Sequence, residues 1–438
     1  AGASRPAPPG SGGGGAVRQT GARARPAGEA TVTRARELGD AWLEFDPAFS
    51  PDGRWIVFVA WNDTRLGRVR VVPAPGAAGA ARDVVSEPGH YVEPSFSPDG
   101  RRVVYRRTRG DLVRGLTHGE EPGIYVVQID PPGEPRLVRE AGTDPQFDHT
   151  GERIYVRERR DDRFVLVSVD LDGSDEVVHF RSEHATEIVP SPDGRWVAFA
   201  ERYKAYVAPF PRTGRSVDLG PSVRGYPVAQ ISRDAGMYLH WSGDSSRVHW
   251  ALGPELFTRD LASAFAFLRE AAKAPAAQGA VEGARPAATP APAEPEPTGI
   301  PIGFRVRSDR PSGSLALVGA RIVTMAGGRP EGGGRGRQAG HLPDVIENGT
   351  IVVEGPRIVA VGPSGSVRVP AGARRVDVRG RTIIPGLVDV HAHVSGESDG
   401  LLAQEAWPLV ANLAYGVTTA HDPSNDTERV FSTAEMIR

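Results

Sequence analysis

One turn, Ser-Pro-Asp-Gly, recurs between about residue 39 and residue 260, and its spacing limits what the chain can fold into. It is intact at residues 50–53, 97–100 and 191–194. Looser copies stand at Asp148-His149-Thr150-Gly151 and Ser242-Gly243-Asp244-Ser245. The turns begin at residues 50, 97, 148, 191 and 242, separations of 47, 51, 43 and 51. Proline at the second position presets φ, and glycine at the fourth accepts φ > 0. A short apolar run follows each turn. Ile56, Val103, Ile154, Val197 and Val248 occupy the third place past it, and Phe58, Tyr105, Val156, Phe199 and Trp250 the fifth. That is one inward face at the strand period of two, repeated five times.

A second hairpin signal lies between the turns. Ile124-Tyr125-Val126-Val127 leads through Gly133 to Leu137-Val138, and Val165-Leu166-Val167 leads through Gly173 to Val177-Val178. Two hairpins per repeat predict a four-stranded blade and a β-propeller. The SPDG turns resemble TolB-like propeller repeats. A closed ring needs at least one more strand set than these five, from residues 301–312 or from sequence ahead of residue 1. Such a module is either a scaffold or a gating and docking element for an attached enzyme. The Asp of each turn is expected to serve the turn and not a metal. His118, His149, His184 and His249 are scattered and receive no role.

The domain order expected is a Gly/Ala/Pro/Arg-rich tail at 1–38, the propeller at 39–273, an Ala/Pro/Glu-rich linker at 274–298, short strands at 299–384, and a further unit at 385–438. The tail has too little apolar content to order itself, and the linker has no period. Leu261, Phe265, Leu268 and Ala272 at helical spacing predict a helix over 257–273. Between 313 and 384, separate strands are expected at 315–318, 321–325, 349–353, 357–361 and 375–378, with a hairpin turn at Gly355-Pro356. Gly334 to Ala339 fits a GxGxxA pattern. Without strand–turn–helix context it reads as a surface loop, not a nucleotide site.

Residues 382–393 read TIIPGLVDVHAH. On a strand, His391, His393, Leu387 and Asp389 share one face, while Val388, Val390, Ala392 and Val394 take the other. Neutral imidazole ligates zinc and similar ions, so two imidazoles one residue apart can fill two positions of one shell. A bare HxH is a weak signal, since the 11 histidines of 438 residues produce roughly 0.3 such pairs by chance. Its plain reading is two half-exposed surface histidines. Here, however, Pro385-Gly386-Leu387-Val388-Asp389-Val390-His391-Ala392-His393 resembles the first barrel strand of the metal-dependent amidohydrolase superfamily, PGLVDxHxH.

The resemblance implies a composite β-sandwich before a (β/α)8 TIM barrel, of which this chain holds the sandwich's N-terminal part and about two β/α units. It implies His391 and His393 as metal ligands and a divalent ion, zinc first, as cofactor. It implies later ligands and an aspartate base beyond residue 438. Asp389 is expected to orient an imidazole or to hydrogen-bond within the barrel. A helix with Pro408 in its first turn should end at Gly416, followed by a strand Val417-Thr418-Thr419-Ala420 that resembles the family's GVTT segment. His421 and Asp422 lie at that strand's end, with His421 expected as a loop cap or supporting residue ahead of a substrate contact. Residues 427–438 begin another helix.

The function expected is metal-assisted hydrolysis of carbon–nitrogen bonds other than linear peptide bonds, or of dipeptide-like amides, with the fragment inactive alone. The substrate would be a small molecule or short peptide. The alternative is a propeller-based binding or scaffold protein with a metal-free, degenerate barrel. A serine peptidase is disfavoured, because Gly362-Pro363-Ser364-Gly365-Ser366 lacks the final glycine of a nucleophile elbow. A net charge of −2 gives no global field for nucleic acid, and the absence of cysteine removes disulfides and thiolate ligands. No apolar run reaches the length of a spanning helix. By analogy with TolB-like propellers the compartment expected is periplasmic or secreted, with bacterial cytoplasm as the alternative.

Overall fold

The computed structural model describes residues 42–110, 121–223, 225–265, 299–303, 310–326, 344–394, 397–398, 401–402 and 407–424. The expected tail, linker, glycine-rich loop at 327–340, His118 and the helix at 427–438 lie outside the described residues.

Five four-stranded antiparallel units follow one another, and each is one blade of a propeller-like array. The first comprises Leu43–Phe49, Trp55–Trp61, Gly67–Pro73 and Arg82–Gly89. The second comprises Tyr91–Phe96, Arg102–Arg107, Gly123–Gln128 and Arg136–Arg139. The third comprises Thr143–Phe147, Arg153–Arg160, Arg163–Asp170 and Val177–Ser182, and gains Val217–Asp218 as a fifth, parallel strand. The fourth comprises Ala185–Pro190, Trp196–Glu201, Lys204–Pro209 and Ala229–Gln230. The fifth comprises Met237–Trp241, Arg247–Leu252, Glu255–Asp260 and Gly299–Pro301.

The SPDG turn joins the first two strands of each blade, and its chemistry is local. Ser50, Ser97, Ser191 and Ser242 each donate Oγ–H to the Asp two residues on, at 2.5–2.6 Å. Each Oγ also accepts the backbone N–H five residues on, at 2.9–3.0 Å. In the third copy Asp148 replaces Ser and accepts the Arg153 N–H at 3.1 Å. The Asp carboxylates are thus engaged by the turn itself. Gly53, Gly100, Gly151 and Gly194 have φ between 66° and 76°, and Ser245 takes the same region at 58°. The ten apolar residues at the third and fifth places past the turns are all buried, none more than 8% exposed.

The innermost strands are stitched to each other by carboxylates. Asp46 accepts the Glu93 N–H at 2.8 Å, and Glu93 accepts the Asp144 N–H at 2.7 Å. Glu187 accepts the N–H groups of Tyr238 and Leu239 at 2.9 and 2.7 Å. Burial pushes the Asp46 and Glu93 carboxyls up, and a fork from Arg106 onto Glu93 opposes that.

Three expectations are corrected. Residues 257–260 are strand, not helix. Phe257 pairs with Trp250 across the meander, with rings stacked 5.7 Å apart; among the described residues of this segment only Leu261–Ala264 is helical, and residues 266–273 lie outside them. Cross-strand aromatic packing overrides the Leu/Phe spacing there. The segment Gly299–Pro301, grouped by sequence with the later strands, pairs with Glu255–Phe257 and completes the fifth blade instead of starting another. Residues 315–318 and 321–325 are not two strands. Ser314–Val323 is one strand, carried past an irregularity by Gly319 at φ 90°.

That long strand is central to a separate five-stranded sheet. It pairs antiparallel with Val345–Glu354 and parallel with Arg374–Asp377 and Thr382–Ile383, while Arg357–Pro363 lies at the other edge. Ala320, Ile322, Ile346 and Ile351 form its core. No described helix is long and apolar enough to cross a membrane.

Candidate metal-binding site at the end of a parallel strand pair

The strand Leu387–Asp389 pairs in parallel with Val417–Ala420, and Trp407–Ala414 is the helix between them. The helix ends where Gly416, at φ 86°, donates its N–H to the Leu413 carbonyl at 2.9 Å. This is one β–α–β unit, and no closed barrel surrounds it among the described residues.

Hydrogen bonds fix the mouth of the pair. The His421 N–H donates to the Asp389 carbonyl at 2.8 Å, and the Ala392 N–H donates to the His421 carbonyl at 2.9 Å. The first strand stops at Asp389, so His391 and His393 follow its C-terminal end and do not lie on it. Strand period alone therefore does not set their direction. Even so, the two rings meet, with centroids 5.3 Å apart and planes at 79°.

Each expected residue has a definite place. The Asp389 carboxylate accepts the backbone N–H of His391 at 3.0 Å, so it fixes chain direction and not the ring. The His421 Nδ1 lies 3.2 Å from the Val390 carbonyl, a loop contact. His393 Nδ1 lies 3.4 Å from Asp422 Oδ1. A proton on that Nδ1 faces the carboxylate and leaves Nε2 as a free donor atom. Asp422 also accepts the N–H groups of Ser424 at 3.1 Å and Val394 at 3.3 Å. The Ser424 bond, with the Val394 bond and the nearby imidazole, holds its carboxyl below the usual range. Sequence reasoning put Asp422 at this mouth without giving it a role; its signal was its position just past the second parallel strand.

The donor chemistry suits a divalent ion of zinc type in part. Two imidazoles converge, and one is backed by a carboxylate in the manner of ligating histidines. Among the described residues, no three His, Asp or Glu side chains converge closely enough to enclose a metal. The surrounding faces are apolar and open: Val388 and Val390 are 61% and 72% exposed. Ala392 is buried.

No known family profile matches the chain. A stretch of it is 39% identical over 80 residues to a 5-methylthioadenosine/S-adenosylhomocysteine deaminase of Symbiobacterium thermophilum, covering 16% of this chain and 18% of that protein. Another match, 42% identical over 89 residues, is an imidazolonepropionase of the same organism, covering 19% and 20%. The chain thus spans about a fifth of the length of the curated relatives it matches. Among solved structures it is similar to TolB from Acinetobacter baumannii, with a TM-score of 0.39, 16% identity, and 50% and 52% of the two chains covered. It is also similar to oligogalacturonate lyase from Vibrio parahaemolyticus, with a TM-score of 0.35, 16% identity, and 52% and 65% covered.

Proposed function

We propose that this chain carries the opening of a metal-dependent amidohydrolase behind a TolB-like β-propeller. The reaction is hydrolysis of a carbon–nitrogen bond other than a linear peptide bond, or of a dipeptide-like amide. The observation that carries this reading is the meeting of His391 and His393 past a parallel strand, with His393 backed by Asp422. The short likenesses to a deaminase and an imidazolonepropionase support it.

His391 and His393 would hold the ion. When bound, a divalent metal such as zinc supplies an acidified water and polarises the scissile carbonyl. Asp422 keeps His393 in the tautomer whose Nε2 is free, and Asp389 anchors the His391 backbone. His421 shapes the loop between them. The remaining ligands and the proton-shuttling base are assigned to barrel strands that would cover the exposed valines. The substrate is a small molecule or short peptide admitted past the propeller, and the compartment is periplasmic or secreted, with bacterial cytoplasm as the alternative.

The test is zinc binding by the 438-residue chain, read by equilibrium dialysis and elemental analysis. We expect His391→Asn with His393→Asn to abolish the site, and Asp422→Asn to weaken it by about 10- to 100-fold. Zinc binding that ignores all three substitutions sinks the metal reading. A metal-free binding or scaffold protein is the second reading. The five successive blades, which make up about half of the chain, favour it.

A further inference from the structure

The propeller-like array departs from its own repeat between the third and fourth blades. On the face opposite the SPDG turns, each blade's second and third strands join and its outer strand crosses to the next blade. In the first and third blades the third and outer strands are joined by residues 74–81 and 171–176. In the fourth blade the same connection runs through 210–228. Within it Val217–Asp218 leaves its own blade and pairs with the third blade's outer strand, Phe180 with Val217 and Arg181 with Asp218. The Leu219 N–H donates to the Arg181 carbonyl at 2.7 Å, and Leu219 is buried. Farther on, the Tyr226 hydroxyl donates to the Pro209 carbonyl. A long, anchored connection that breaks a repeat is the kind of segment that builds sites.

Between this excursion and the hairpin of the fourth blade lies a cavity of about 670 Å³. Four permanent cations line it, Arg163, Arg181, Arg202 and Lys204, against three carboxylates, Glu183, Glu201 and Asp218. The carboxylates are engaged. Asp218 and Glu183 flank Arg163 at 3.3 and 3.8 Å, and Glu201 accepts the Ser182 hydroxyl at 3.3 Å. The guanidinium groups of Arg181 and Arg202 make no hydrogen bond or ion pair with any described residue. Leu219, Val223 and the Tyr206 ring add an apolar wall.

We propose that this cavity binds a small organic polyanion, its acidic groups taken by Arg181 and Arg202 and its carbon skeleton set against Leu219 and Val223. Guanidinium forks match carboxylate and phosphate alike, so either acid satisfies the site. The volume exceeds that of a single inorganic ion and falls in the range of small-molecule pockets. The proposal does not rest on the hydrolase reading, because every residue it uses belongs to the third and fourth blades.

The test is calorimetric titration of the 438-residue chain at low ionic strength with citrate, with pyrophosphate, and with spermidine as the cationic control. We expect one site for citrate, pyrophosphate or both, and none for spermidine. Citrate alone assigns a carboxylate ligand, pyrophosphate alone a phosphate ligand, and both a general polyanion site. Arg181→Gln and Arg202→Gln should each weaken binding about tenfold or more. Glu183→Gln, which removes one of the two carboxylates beside Arg163 and one negative charge from the lining, should tighten it, a gain that misfolding cannot imitate. Failure of both anions to bind, binding unchanged in both arginine variants, or preference for spermidine overturns the proposal.

Discussion

His179 makes the third blade sensitive to acid, and the size of the effect follows from its surroundings. Its Nε2 lies 2.8 Å from Ser168 Oγ, which also accepts Arg153 Nε–H at 3.0 Å. Its ring packs edge-on against Tyr155 and Phe210, at centroid distances of 5.3 and 5.2 Å. Burial first, then the guanidinium groups of Arg153 and Arg212, depress its pKa from 6.5 to about 4. At pH 7 the imidazole is neutral in the folded blade and mostly neutral in the unfolded chain. As pH falls below 6.5 the unfolded chain takes up a proton that the folded blade refuses until about pH 4. Stability is therefore lost across that window and levels off beneath it. At about 1.4 kcal/mol per unit the shift caps the loss near ~3 kcal/mol, and partial solvent exposure of the ring reduces this to about 1–2 kcal/mol.

The measurement compares the chain with its His179→Gln variant, which keeps a partner for Ser168 and cannot titrate. Amide exchange on Arg163–Asp170 and Val177–Ser182 reads the opening free energy of this blade without assuming that the whole chain unfolds at once. Other acids titrate in both proteins, so the difference between them isolates the imidazole. The parent blade should lose about 1–2 kcal/mol more than the variant between about pH 7 and pH 4. Equal losses, or an imidazole proton resonance titrating near 6.5, would refute the reasoning.

Further substitutions probe the turn and the strand pair. Ser97 is fully buried, and Ser97→Ala removes an Oγ that both donates to Asp99 and accepts from Arg102. Its cost by chemical denaturation should be about 1–2 kcal/mol, and Ser242→Ala, at a more open turn, should cost less; the reverse order would contradict the burial argument. A Cβ on Gly386 would overlap the branched side chain of Thr418. Gly386→Ala should therefore speed exchange of the Leu387 and His421 amides at a cost of about 1–3 kcal/mol, and unchanged exchange would contradict the overlap.

The repeat was legible because its determinants are local. Serine, proline, aspartate and glycine within four residues specify both the turn and the hydrogen bonds that close it, and the strand after it needs only a period of two. Features decided at a distance were not legible. Leu256-Phe257 fits a helix and a strand equally well until Trp250 lies beside it. The excursion at 210–228 has no period, and its pairing partner belongs to the preceding blade. Gly319 separates two apolar runs in sequence, yet the bulge it permits makes them one strand.

The site at the strand pair combines both cases. The residues 385–393 carry their own signature, and the two imidazoles do meet. What brings them together is not the alternation of a strand, which has ended at Asp389, but hydrogen bonds across to the second strand. His421 ties the Asp389 and Ala392 backbones, and Asp422 ties Val394 and the His393 ring. The separation of these partners along the chain hides the arrangement from local pattern, while the parallel register of Asp389 with Ala420 determines it. His393 therefore owes its direction to a residue on the neighbouring strand. A change that shifts this register by one residue would move Asp422 away from the ring while leaving the motif intact.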